Sequence, residues 1–265
     1  MKNRLGFLAG IFLTTSFISS CTAHRSSFNC SSSANNVAIK QSVKWYRESA
    51  EQKALYRQVF SIATRYVQNW QKSHGANPWG VILDIDETVL NNSWYYQQCL
   101  DITMHEADFS RYISMAEKST ALPGAAEFTH FVHKLGGFVS LVSNRDGAYH
   151  DERGSVMEST NKNLKEQGIY FDQIILANDE QSKNPKDKNP RFNAVKTGHY
   201  DAENMVWSNT LPPHEVIAYI GDNIQDFPEL HQKEMRALKE NDDVFKRFSK
   251  GYFILPNPIY GSWAH

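Results

Sequence analysis
The sequence predicts a doubly wound α/β fold: a parallel sheet with helices on both faces, and a small helical cap formed by N-terminal and inserted segments. Short, uninterrupted apolar runs recur at 79–85, 138–142, 173–176 and 216–220, and runs without alternation mark strands covered on both faces. Between them lie helical stretches at 125–135, 150–167 and 191–198; strand alternating with helix implies right-handed crossovers within one sheet. Polar, aspartate-rich strings follow directly on the runs, and ligands of open α/β sheets bind beyond the carboxyl ends of the strands.

In chain order, Lys2 and Arg4 precede an apolar stretch that runs to Ile18, then Ser19, Ser20 and Cys21. Basic, apolar and small residues in that order read as a secretory signal over 1–20. Small residues before Cys21 resemble a bacterial lipobox, with Ile18 where Leu is usual, so that Cys21 would carry lipid and anchor the protein to a membrane, an outer membrane facing the periplasm or the cell surface. The alternative is an ordinary cleaved signal. Residues 21–40, rich in Ser and Asn, read as a tether, and 41–265 as the globular domain. Trp45, Leu55, Val59, Ile62, Tyr66 and Trp70 recur at helical spacing, giving one or two amphipathic helices over about 41–74 that end at His74-Gly75-Ala76-Asn77-Pro78. These helices and an insertion at about 91–122 would form the cap. The run 252–255 offers a further strand.

Composition narrows the function. In 265 residues, 28 Lys and Arg face 29 Asp and Glu, with 41% hydrophobic and 12% aromatic residues. A chain of that make-up folds, and with a pI near 6.8 it has no field able to hold a nucleic-acid polymer. Mean hydropathy is −0.53, and no internal apolar run reaches the ~20 residues of a membrane span. The sequence leaves homo-oligomerisation open. With Cys21 lipidated, Cys30 and Cys99 remain, either paired in an oxidising compartment or as separate thiols.

The first apolar run ends Asp84-Ile85-Asp86-Glu87-Thr88, the second Ser143-Asn144-Arg145-Asp146, and the fourth Gly221-Asp222-Asn223-Ile224-Gln225-Asp226. Carboxylates gathered at adjacent strand ends repel one another unless a cation sits among them. Oxygen-only donors without thiolates suit Mg²⁺, which also takes a phosphate oxygen as ligand.

The strings 82–95 (ILDIDETVLNNSWY) and 221–227 (GDNIQDF) closely resemble the paired signatures of the class C bacterial acid phosphatases, the lipoprotein branch of the haloacid dehalogenase (HAD) superfamily that includes 5′-nucleotidases. The ending 255–263 (LPNPIYGSW) is like that of the nucleotidase members; Ile224 replaces the usual Leu and Asn91 a frequent Asp. The resemblance implies an Mg²⁺-dependent phosphomonoesterase with Asp84 as nucleophile, Asp86 as general acid and base, and Ser143, Asn144 and Arg145 at the phosphoryl group. It places Mg²⁺ on the Asp84 side chain, the Asp86 carbonyl and Asp222, with Asp226 holding a metal-bound water. A catalytic lysine is also expected. Among Lys183, Lys186 and Lys188, the sequence favours Lys188, three residues before Arg191, with Lys186 as rival.

Trp94, Tyr95 and Tyr260 are candidates to stack on a nucleobase, or else to cover apolar surface. The substrate class is thus a small phosphomonoester, with nucleoside 5′-monophosphates first; a broad acid phosphatase, or a surface lipoprotein that uses the fold as a scaffold, is the alternative. His105, His150, His199 and His214 lack metal-ligand spacing and read as surface or helix-end residues.

Overall fold
The computed structural model describes residues 40–74, 77–98, 106–114 and 119–265. Helix α1 (Gln41–Glu48) meets α2 (Ala50–Ser73) at Ser49, whose hydroxyl accepts from the Gln52 amide at 3.0 Å and caps the second helix. The strand β1 (Trp79–Leu83) is buried along its whole length. A short hairpin of β2 (Leu90–Asn91) and β3 (Thr120–Ala121) brackets the insertion, which carries α3 (Ser93–Gln98) and α4 (Glu106–Ser114). Then come α5 (Ala125–Lys134), β4 (Phe138–Asp146), a hairpin of β5 (His150–Asp151) and β6 (Gly154–Ser155), α6 (Val156–Glu166) and β7 (Gln173–Ala177). Helix α7 (Asn189–Thr197), β8 (Met205–Trp207), β9 (Glu215–Gly221), α8 (Gln232–Arg236) and β10 (Tyr252–Ile254) complete the chain.

Six strands form one sheet in the order β10-β9-β1-β4-β7-β8. All neighbours are parallel except β8, which runs antiparallel to β7 at the edge. The chain leaves β1 for β4 on one side and later returns to β9 on the other, so the topological switch lies beside β1. The crevice that such a reversal opens is where ligands settle.

Both faces of the sheet are covered, as the unbroken apolar runs require. Val81 and Leu83 point into a core shared with Tyr56, Phe60, Val67 and Phe128 of α2 and α5. Ile82, between them, points into a second core with Phe192 and Val195 of α7 and Tyr219 of β9. Truncating a fully buried residue such as Leu83 to Ala costs on the order of 2–5 kcal/mol. Helix α2 lies against α5, β9 and β10, whereas α1 touches α3 of the insertion.

Two expectations need correction. The helix expected over 150–167 begins at Val156, because Gly154 adopts φ 140° and residues 150–155 turn back as a hairpin; Ser155 then caps the helix by accepting from the Glu158 amide at 3.1 Å. His214, expected at the surface, is buried against the Phe138 ring. Its Nδ1 lies 2.8 Å from the Pro212 carbonyl, its Nε2 has no partner among the described residues, and burial pushes its pKa down. Cys21, Cys30, Cys99, His105 and the signal all lie outside the described residues.

Candidate active site
The ends of β1, β4 and β9 converge on a cavity of about 1010 Å³. The Asp84 amide donates to the Ile220 carbonyl at 2.9 Å, prolonging the pairing of β1 with β9, and the chain then reverses around the Ile85 carbonyl, which accepts from Val89 and Leu90. Glu87 takes a left-handed φ of 54° at this reversal, a conformation that a non-glycine residue holds only where its surroundings fix it. Ile85 is sealed in the core while Asp84 and Asp86, on either side, line the cavity.

At the end of β9, any side chain on Gly221 would collide with the Asp226 carboxylate. The following turn, Ile224–Asp226, is closed reciprocally: the Asn223 side chain accepts from the Gln225 amide at 3.1 Å, and Asp226 accepts from the Asn223 amide at 2.8 Å. Asp222 accepts from Thr88 at 3.1 Å and from Asn257 at 2.8 Å. Carboxylate oxygens of Asp84, Asp222 and Asp226 all lie within 4.8 Å of one another.

Only one ammonium reaches this cluster among the described residues. The buried Lys188 Nζ donates to Asp84 and, at 2.6 Å, to Asp226. Burial lowers the Lys188 pKa, but Asp226 and Asp84 outweigh it and leave the pKa raised. Burial, reinforced by Asp226 and Asp86 and opposed by Lys188, pushes the Asp84 carboxyl up to about 7. Burial, with Asp226 and Asp84, holds Asp222 well above the usual carboxylate range. Three crowded carboxylates with one lysine, all donors being hard oxygens, fit a divalent cation held by Asp84, Asp222 and Asp226.

Asp86 faces the other way. Arg145 grips it through Nε at 3.1 Å to both oxygens and Nη2 at 2.7 Å, while Asn92 donates at 2.7 Å and Ser143 at 3.2 Å. Among the described residues its side chain is outside the carboxylate cluster.

The structure brings Asp84, Asp86, Ser143, Asn144, Arg145, Lys188, Asp222, Asp226 and Tyr260 to one cavity. Several stand differently from the expectation. The Arg145 guanidinium, expected at substrate, is buried and held by Asp86 and by Thr160 at 2.9 Å. Asn144 accepts from Arg191 and donates to the Lys186 carbonyl at 3.2 Å. Lys186 itself is exposed, with Nζ 4.0 Å from Asp179. Trp94 and Tyr95 do not line the cavity: Tyr95 is packed among Tyr96, Phe109 and Tyr112, and Trp94 stacks on Tyr112.

Sequence reasoning missed Phe109, which faces the cavity from α4, and Asn257, which fixes Asp222. Asn257 lies in the ending already singled out. Phe109 carries no local signal, since only the tertiary fold brings α4 to the strand ends. The outer wall is completed by Gln232, Lys233 and Arg236 of α8 and by residues 259–262.

The model of the HAD superfamily, subfamily IIIB (acid phosphatase), matches residues 14–263. Among solved structures, the class C acid phosphatase from Bacillus anthracis is similar at 24% identity over 84% of each chain, with a TM-score of 0.66. The same enzyme with tungstate bound gives 24% identity, 84% coverage of each chain and a TM-score of 0.65. Both are likenesses of fold. The fold, the aspartates at the strand ends and a family match across nearly the whole sequence agree: the chain belongs to subfamily IIIB of the HAD superfamily, the acid phosphatases.

Proposed function
We propose that this phosphatase hydrolyses nucleoside 5′-monophosphates in two displacements at Asp84, with Mg²⁺ as its metal. The observation that carries the reading is the pairing of two ends in one cavity: Asp84 with Lys188 at the floor, Phe109 and Tyr260 on the wall. The floor fits a phosphoryl group and the rings fit a flat base.

In the first displacement an Asp84 oxygen attacks phosphorus as the bond to the ester oxygen breaks, giving an aspartyl-phosphate. Asp86 supplies the proton that the departing alkoxide needs. In the second, Asp86 takes a proton from the attacking water and the Asp84–phosphorus bond breaks, releasing phosphate. The Ser143 hydroxyl beside Asp86 can donate to the carboxylate or accept from the carboxylic acid, so it accommodates both states. Arg145 and Asn92 fix the direction of Asp86. Lys188 holds Asp84 in place and offsets charge on the phosphoryl oxygens. A divalent cation on Asp84, Asp222 and Asp226, with the Asp86 carbonyl, would neutralise the phosphoryl oxygens so that one anion can approach another.

The exported, lipid-anchored form belongs to the same proposal: a signal over 1–20, lipid on Cys21, a tether over 21–40 and the enzyme over 41–265, a division that rests on the sequence. Purified protein assayed against nucleoside monophosphates, sugar phosphates and aryl phosphates, with and without EDTA, tests the enzymatic reading. Turnover restored by Mg²⁺ and higher kcat/KM for nucleotides are expected. Equal kcat/KM across the panel would replace the nucleotidase by a broad acid phosphatase, and full activity in EDTA would remove the metal.

A further inference from the structure
The buried carboxylate of Glu87 has no part in the displacement steps, yet it touches both ends of the site. Its Oε2 accepts from the Tyr260 hydroxyl, and its Oε1 accepts from the Asn92 amide at 2.7 Å. Asn92 in turn donates its side-chain amide to Asp86 at 2.7 Å, and its Oδ1 accepts from Ser119 at 2.6 Å. The Glu87 carbonyl is held by Tyr56. Glu87 is fully buried, in a left-handed conformation, so its position is fixed on every side.

We infer that Glu87 is a positioning residue that sets two things through one carboxylate: the placement of the Tyr260 ring on the cavity wall and, through Asn92, the aim of Asp86 at the leaving oxygen. A fully buried carboxylate is costly to keep for packing alone, since an apolar side chain would fill the space without desolvating a polar group. What the carboxylate offers is two acceptor oxygens aimed at two different partners. The Tyr260 ring packs tilted against Tyr96 with centroids 4.8 Å apart, and its hydroxyl, hydrogen-bonded to both Tyr96 and Glu87, ties the ring to the buried carboxylate. The part that concerns Tyr260 rests on the nucleotide reading above; the part that concerns Asp86 does not.

The test uses Glu87→Ala, Glu87→Gln, Glu87→Asp and Tyr260→Phe, with three substrates: adenosine 5′-monophosphate, glycerol phosphate and p-nitrophenyl phosphate. Glu87→Ala is expected to raise the nucleotide KM relative to that of glycerol phosphate by about 3- to 10-fold, as for loss of one hydrogen bond. It also lowers kcat more for glycerol phosphate than for p-nitrophenyl phosphate, whose leaving group needs no proton. Tyr260→Phe reproduces the first effect without the second, and adding it to Glu87→Ala gives no further rise in the KM ratio. Glu87→Gln, with the same shape and its single acceptor oxygen turned to the Asn92 amide, restores the kcat ratio but leaves the Tyr260 hydroxyl without its acceptor and the KM ratio raised. Should Glu87→Ala fail to fold, Glu87→Asp, too short to reach both partners, carries the same two expectations. Equal kcat losses for the two esters, or a Glu87→Gln variant whose kcat ratio is as altered as that of Glu87→Ala, would overturn the inference. A Tyr260→Ala variant with an unaltered nucleotide-to-glycerol-phosphate ratio would remove the nucleotide reading and leave the link to Asp86 to be judged on kcat.

Discussion
The floor and the outer wall of the cavity are built on different plans. The floor comes from the ends of three adjacent parallel strands, its aspartates held by backbone amides and by short loops that the sheet itself aims. The wall is assembled from α4 of the mid-chain insertion and from α8 and the segment after β10 near the C-terminus. The floor is part of the framework of the fold, whereas the wall can change without disturbing the strands. Chemistry should therefore depend on the floor and substrate choice on the wall.

The largest effect is expected at the floor. Asp84→Asn leaves an amide that cannot form the aspartyl-phosphate, and kcat falls to background while the far-UV spectrum is retained; kcat within tenfold of the parent would remove Asp84 as nucleophile. Lys188→Met should cost on the order of 10²–10³-fold in kcat, the scale of one preorganised charge partner, and Lys186→Met only a few-fold. The reverse order would assign the ammonium wrongly. Next, Asp86→Asn should inactivate alkyl esters more than p-nitrophenyl phosphate, read as the ratio of kcat values.

At the wall the expected losses are smaller and selective. Phe109→Ala or Tyr260→Ala removes ~1–3 kcal/mol of stacking, roughly 5- to 150-fold in kcat/KM for a nucleotide, with a much smaller loss for glycerol phosphate. Parallel losses for both substrates would erase the division between floor and wall. The smallest effect lies outside both regions, at His214. Its folded pKa is depressed by burial, so its contribution to stability is full above the free-histidine value of about 6.5 and is lost as pH falls through the folded value. Thermal melts from pH 7 down to pH 4 should show His214→Gln losing less Tm than the parent; identical slopes would mean that His214 does not titrate.

The same division explains what was legible in the sequence. Unbroken apolar runs located β1, β4, β7 and β9, because burial on both faces leaves no polar positions to confuse the pattern. Asp84, Asp86, Ser143, Asp222 and Asp226 were legible because strand ends bring their residues in with fixed spacing. The edge strand β8 was not found: it is three residues long and only half covered. Residues 150–155 carry a helical pattern in sequence, because nothing local reports that Gly154 takes a positive φ. Trp94 and Tyr95 lie close to Asp84 in sequence, but α3 turns Tyr95 into its own aromatic cluster. Arg145 follows Ser143 in the chain, and only the structure reveals that its fork is engaged by Asp86.

One hydroxyl links events at opposite ends of synthesis. Tyr56 on α2 donates to the Glu87 carbonyl, and its hydroxyl lies 3.3 Å from the Pro256 carbonyl 200 residues further along. That contact spans 200 residues, and a loop of that length costs more entropy to close than the short connections within the sheet. The pairings of β1 with β4 and of β4 with β7 span far fewer residues and do not need the segment after β10 in place. The Asn257 contact to Asp222 and the Tyr260 ring both depend on the docking of that segment, so regular secondary structure alone does not report a competent site.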